Sequence, residues 1–130
     1  MLLKIILNFL IGLLIGFIAE LVFRSFEHKK LIIPKFINYQ MYGFTSAFLT
    51  IIYFWEIDLI FKLILIFIFP TLVEFLTGFL YKKVERISLW NYKKDKFNFM
   101  GIICLRFSFC WFIISLVYYY FILPQIISSI

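Results

Sequence analysis

Apolar residues fall into four blocks separated by short charged segments. The first block, Ile5 to Phe23, is 19 residues long, close to the ~20 needed for a helix to cross a hydrocarbon core. The others run from Phe36 to Trp55, Leu59 to Tyr81 and Gly101 to Leu123. This pattern predicts an all-α integral membrane bundle of four transmembrane helices in one domain spanning 1–130. Basic loops at 24–35 and 82–100 and a tight hairpin at Glu56-Ile57-Asp58 would join the helices. Lys4 gives the first block the positive start of a signal peptide. However, the run is too long, no Ala-x-Ala-like site follows, and Glu20 interrupts its end, so a retained span is expected.

Polar and small residues inside the blocks have their own spacing. Asn8, Gly12, Gly16, Glu20 and Arg24 fall at steps of four and make one stripe on the first helix. Gly12 and Gly16 form a small-xxx-small pair, which predicts close helix approach and self-association into a homo-oligomer. Pro34 suits the first turn of the second helix. Pro70 should kink the third, with Thr71 partly satisfying the freed backbone. Pro70, Glu74 and Gly78 share a face. Each half also carries a late Glu, a basic loop, and then Asn before Met and Gly (Asn38, Met41, Gly43; Asn98, Met100, Gly101). That likeness would make the bundle two tandem hairpins, an arrangement known among transporters.

Composition strengthens the membrane reading. The chain is 65% hydrophobic with mean hydropathy +1.04, against roughly 45–50% apolar residues in soluble domains. Its +6 charge does not point to nucleic acid, because the cations sit in short loops between apolar runs. They suit orientation in a bilayer and contact with anionic membrane lipids. Arg24, Lys29, Lys30, Lys35, Lys82, Lys83, Arg86, Lys93, Lys94 and Lys96 would all lie on one side. The positive-inside rule makes loops 24–35 and 82–100 cytoplasmic, with both termini outside the cell membrane. Tyr53, Trp55 and Tyr118 to Tyr120 would form an outer aromatic belt, and Tyr81, Trp90 and Tyr92 an inner one. Cys104 and Cys110 lack metal-ligand spacing and read as packing residues. His28 stands alone in a charged loop. Neither a metal nor a cofactor is expected.

Charged residues within the blocks need an explanation, because lipid does not solvate them. By helical rise, Glu20 lies about 6 Å inside Arg24, Glu74 about 10 Å inside Tyr81, and Arg106 about 7 Å beyond Gly101. All three fall in the cytoplasmic half. Tyr42 and Asn98 begin helices on that side, and Trp90, Asn91 and Tyr92 would cap the opening. Two readings fit this cluster. In one, Glu20 or Glu74 pairs with Arg106 to fix helix register. In the other, the acids bind a cation or a shared proton and Arg106 balances their charge. Two carboxylates could also act as acid and base. No nucleophile–His pair, metal-ligand set or phosphate loop accompanies them, so an enzyme is not expected.

Several strings resemble one family. GFIAELVFRS (Gly16 to Ser25) resembles its Gly-x-x-x-Glu opening, and Tyr42-Gly43-Phe44 its Tyr-Gly-Phe. Glu74 with Thr77-Gly78 resembles its Glu-Tyr-x-Thr-Gly helix. Trp90-Asn91-Tyr92, then Phe97-Asn98 and Gly101 to Leu105, resembles Trp-Asp-Tyr-x-x-x-x-Phe-Asn-x-x-Gly-x-Ile-Cys-Leu. The chain is similar on these grounds to the ABC-transporter type IV (CmpB-like) membrane family. Asn91 departs from the family's Asp, Ile102 from an Arg that Arg106 could replace one turn on, and Gln40-Met41 from its prolines. The resemblance implies a permease-like component. No ATP-binding motif is present in this sequence, so an ATPase would be a separate subunit. The alternative is a non-transporting membrane scaffold or lipid-interacting protein.

Overall fold

The computed structural model describes residues 1–129. Helix α1 spans Leu2–His28, α2 Phe36–Phe54 and α3 Leu59–Glu85. A short hairpin of β1 (Asn98–Phe99) and β2 (Ile103–Cys104) follows. The chain ends in a rod of α4 (Leu105–Val117), a π-helical turn (Tyr118–Ile122) and α5 (Leu123–Ser129). Left-handed residues stop α1 at Lys29 and α3 at Arg86, with φ of 56° and 59°. Pro34 lies outside α2, before the extended N-cap Lys35, rather than in its first turn.

Neighbouring helices run antiparallel, as the cross-helix pairs require. Phe17 meets Tyr39 while Lys4 lies over Phe54. Gln40 bonds Thr77 while Phe48 stacks on Phe69. Thr71 reaches Ser108 while Lys62 reaches Tyr119. Thr71 is thus engaged with α4 rather than with the backbone freed by Pro70, which lies inside an unbroken α3.

The helices differ in what they face. Nine of the 19 residues of α2 are buried, against three of 27 in α1 and four of 27 in α3. By length and composition, α1, α3 and the rod Leu105–Ser129 can each cross a membrane; α2 does not qualify. Its Asn38, Gln40, Thr45, Ser46 and Thr50 lower its hydropathy, and all are buried against protein. The expected four apolar spans are therefore three, enclosing a more polar fourth helix. Only 17% of the apolar windows of α1 and α3 is buried, so most of their Leu, Ile and Phe face outward, as lipid as solvent would permit.

Close approach of α1 and α2 depends on glycine. A Cβ on Gly12 would overlap the Ser46 side chain and lie 2.6 Å from the Tyr42 carbonyl oxygen. One on Gly16 would meet the Tyr42 ring. This small-xxx-small face is consumed within the chain and is not free for the self-association expected of it.

Two further expectations change at the rod. The fourth helix begins at Leu105 rather than Gly101, because residues 98–104 form the hairpin, with Asn98 opposite Cys104 and Phe99 opposite Ile103. Gly101, at φ 69°, supplies its turn. Since Asn38, Met41 and Gly43 lie within α2, the proposed likeness between halves does not hold at this point. Tyr118 and Tyr119 are buried in the core with Leu49, Ile52, Ile66 and Leu123 instead of lying in an outer belt. The Tyr118 hydroxyl donates to Asn8 Oδ1 at 2.6 Å, and the Ser46 hydroxyl donates to the Asn8 carbonyl at 2.6 Å. This network joins three helices at the end away from the basic loops.

Candidate functional site: a polar cavity at the basic end

At the end of the bundle that carries the basic loops, the last turns of α1, the start of α2, Glu74 of α3, the first turns of α4 and the loop at 89–95 enclose a cavity of about 680 Å³. Of the residues singled out from sequence, Glu20, Tyr42, Glu74, Trp90, Asn91, Tyr92 and Arg106 all line it. Asn98 does not. Its amide donates to the carbonyls of Asp95 (2.9 Å) and Lys93 (3.4 Å), and its Oδ1 accepts from the Gly101 N–H at 3.1 Å. It holds the loop and hairpin together.

Charge pairing differs from expectation. Arg106 bridges Asp95 at 3.0 Å, with its side chain 66% exposed, and reaches neither Glu20 nor Glu74. Its guanidinium lies 4.7 Å from the Phe107 ring centroid. A guanidinium entering at the second residue of α4 lies too near the helix end to descend to Glu74, so the loop acid takes it. Glu20 instead pairs with Arg24, one turn along α1, at 3.0 Å. The Tyr42 hydroxyl contacts its other oxygen at 3.4 Å.

Glu74 stands apart. It is 4% exposed in the middle of α3, on the buried face with Ile66, Pro70 and Gly78. Its Oε2 accepts a hydrogen bond from the Tyr92 hydroxyl at 3.2 Å. Its Oε1 has no partner among the described residues, and the Trp111 indole lies beside the carboxyl group outside hydrogen-bond geometry. Burial pushes the Tyr92 phenol well above its ordinary range, and the neighbouring Glu74 charge adds to this, so Tyr92 stays a donor.

Glycine again permits the local packing. A Cβ on Gly78 would lie 2.6 Å from Ile102 Cγ2 and 3.1 Å from the Trp90 ring. The Trp90 indole N–H donates to the Ile102 carbonyl at 2.7 Å, so ring and hairpin settle on α3 as one unit. Asn91 accepts from the Lys93 N–H at 2.9 Å and shapes the loop. Tyr92 stacks on Phe107, with centroids 4.8 Å apart.

Sequence reasoning missed Trp111. It is buried on α4, packs on Tyr42 at 4.8 Å between centroids, and lines the cavity. Tryptophan in an apolar block carries no signal to distinguish it from a core residue. The ends of α1 also contribute Glu27 and His28 to the rim, because α1 continues to His28 through what reads as a loop. Among the described residues no group of three or more His, Cys, Asp or Glu could hold a metal ion.

No curated protein and no solved structure matches the chain. A family model does match, over residues 7–130, and it covers the helices and the loop that build this cavity. The chain belongs to the family described as putative ABC-transporter type IV.

Proposed function

We propose that this chain is a permease-like membrane component whose polar cavity, centred on Glu74, takes up a cation or a proton from the cytoplasmic side. One observation carries the proposal: Glu74 is buried in an apolar helix, lines a sizeable cavity, and is paired with no cation among the described residues. A carboxylate kept only to fix register would be matched by a buried base. Here both nearby guanidiniums are held by other acids, Arg24 by Glu20 and Arg106 by Asp95. Intramembrane carboxylates of this kind mark ion and proton paths. Glu20 and Tyr42 extend the polar wall, while Trp90, Asn91 and Tyr92 cover it. Arg106 belongs to the rim rather than to the charge balance of the site.

In this reading α2 is the fourth crossing, shielded from lipid by α1 and α3. The basic loops face the cytoplasm, both termini lie outside, and ATP hydrolysis comes from a separate subunit. Purification from the native membrane in mild detergent should recover an ATPase polypeptide in stoichiometric amount. Recovery of this chain alone would remove the ABC part of the reading. In proteoliposomes carrying an internal pH dye, proton flux driven by a potassium diffusion potential should depend on Glu74. Glu74→Gln should abolish it while leaving expression and gel-filtration behaviour near normal. Flux unchanged by that substitution would overturn the assignment of the site.

The lipid-interacting alternative draws on a separate feature, an open apolar groove of about 590 Å³ between α2 and α3, lined by Ile37, Phe44, Phe69, Leu72, Leu76 and Leu80. Lipid retention there would be indifferent to Glu74→Gln.

A further inference from the structure

The cavity has a second property besides its unpaired carboxylate: its walls are aromatic. Two ring pairs border it, Tyr42 with Trp111 (centroids 4.8 Å apart) and Trp90 with Tyr92 (6.4 Å). They come from α2, α4 and the capping loop, so the tertiary fold assembles them from distant parts of the chain. Its charged lining sets Glu20, Glu27, Glu74 and Asp95 against two guanidiniums, leaving acid in excess. Its ~680 Å³ is within the range of small-molecule sites, roughly 300–1,000 Å³, and far larger than a bare metal ion requires.

We infer that the Glu74 cavity takes a small organic cation of the alkylammonium class, with its charge against Glu74 and its alkyl groups against Tyr42, Trp90, Tyr92 and Trp111. An inorganic cation stripped of water needs about six oxygen ligands in a compact shell. Around Glu74 the structure offers its own carboxylate and the Tyr92 hydroxyl; the Glu20 carboxylate is taken by Arg24 and the Tyr42 hydroxyl by Glu20, and much of the remaining wall is aromatic and aliphatic carbon. A quaternary or alkylated ammonium has no such demand. It is held by ring faces, and one carboxylate balances its charge. A cation on a ring face already occurs at the rim, where Arg106 lies over Phe107. This inference rests on the reading of Glu74 as a cation site and narrows it to a ligand class.

The test uses the full chain purified in mild detergent with Trp55→Phe, which leaves Trp90 and Trp111 as reporters inside the cavity. Choline, its neutral isostere 3,3-dimethyl-1-butanol, sodium and potassium are titrated separately. The inference expects saturable fluorescence change with choline, at least tenfold weaker binding of the isostere and of both metal ions, and loss of choline binding in Glu74→Gln. Trp111→Leu, read through Trp90, should weaken choline about tenfold, the scale of one desolvated ring contact. A choline-dependent rise in melting temperature in the wild-type chain, absent in Glu74→Gln, separates lost binding from lost folding. Sodium or potassium binding that depends on Glu74 without preference for choline would overturn the ligand class and leave the cation site standing. No Glu74-dependent response to any of them would overturn the ligand class, and, with proton flux in proteoliposomes also unchanged by Glu74→Gln, the site itself.

Discussion

Substituting Gly78 by alanine tests how the cap is seated on α3. A methyl there would lie 2.6 Å from Ile102 Cγ2, whereas carbon–carbon contacts settle at about 3.5–4.0 Å. The neighbour must therefore retreat by about 1 Å. Ile102 is 4% exposed and β-branched, so its χ1 is stiff. It also holds the Trp90 indole through its carbonyl, so hairpin and ring should lift together. Overpacking of this kind costs about 1–3 kcal/mol, offset by about 1 kcal/mol from replacing glycine in a helix. The expected net loss is about 1 kcal/mol, the difference of those two terms. Ile102→Leu removes the offending Cγ2 while keeping the volume. In that background only the Trp90 ring at 3.1 Å still crowds the new methyl, a smaller cost that the glycine gain should about cancel, so Gly78→Ala should be close to neutral. Unfolding of the four proteins in mixed micelles measures the cycle, and Trp90 emission, with Trp55 and Trp111 replaced by Phe, should shift to the red in Gly78→Ala alone. Two costs that simply add, within about 0.5 kcal/mol, together with an unmoved emission maximum, would refute this account of the cap.

Three other expectations follow from the same geometry. Tyr118→Phe removes the donor to Asn8 Oδ1, which is wholly buried, and should cost about 1–2 kcal/mol in melting or micelle unfolding experiments. Arg106→Gln breaks only a bridge to Asp95 from a largely exposed side chain. It should therefore cost less than about 1 kcal/mol and leave Glu74-dependent proton flux intact; loss of that flux would return Arg106 to the site. Tyr92 has a phenol pKa raised by burial, so the folded state retains its proton more firmly than the unfolded state. Its stabilising contribution is therefore full below the unfolded value of about 10 and declines as pH rises above it. Ultraviolet titration near pH ~10 should show less tyrosinate in the folded than in the unfolded chain, and that shortfall should shrink by one tyrosinate in Tyr92→Phe.

Much of the site was legible because lipid makes charge conspicuous. Glu20, Glu74 and Arg106 stood out against apolar blocks, and counting helical rise from the basic loops set them at one end, where the cavity forms. Trp90 lines the same cavity, as its place in a basic loop between two such helices suggested. Pairing was not legible. Whether Arg106 meets Glu74 or Asp95 depends on where α4 begins, and seven residues from Asn98 to Cys104 form a hairpin instead of the opening helical turns. Two left-handed residues, Met100 and Gly101, decide that, and no apolar periodicity reports them.

Composition and spacing alone set the helical membrane character of the chain, the end at which its cations gather and the acids that need an explanation. Those follow from composition and spacing, since transfer into lipid is close to additive over residues. Tertiary structure decided that α2 is an enclosed polar helix and that Gly12 and Gly16 serve it rather than a second copy. It also decided that Trp111 joins Tyr42, and that Glu74, unlike Glu20 and Arg106, has no ionic partner among the described residues. Each of these depends on which faces meet across helices far apart in the chain, where a shift of one residue would exchange every contact.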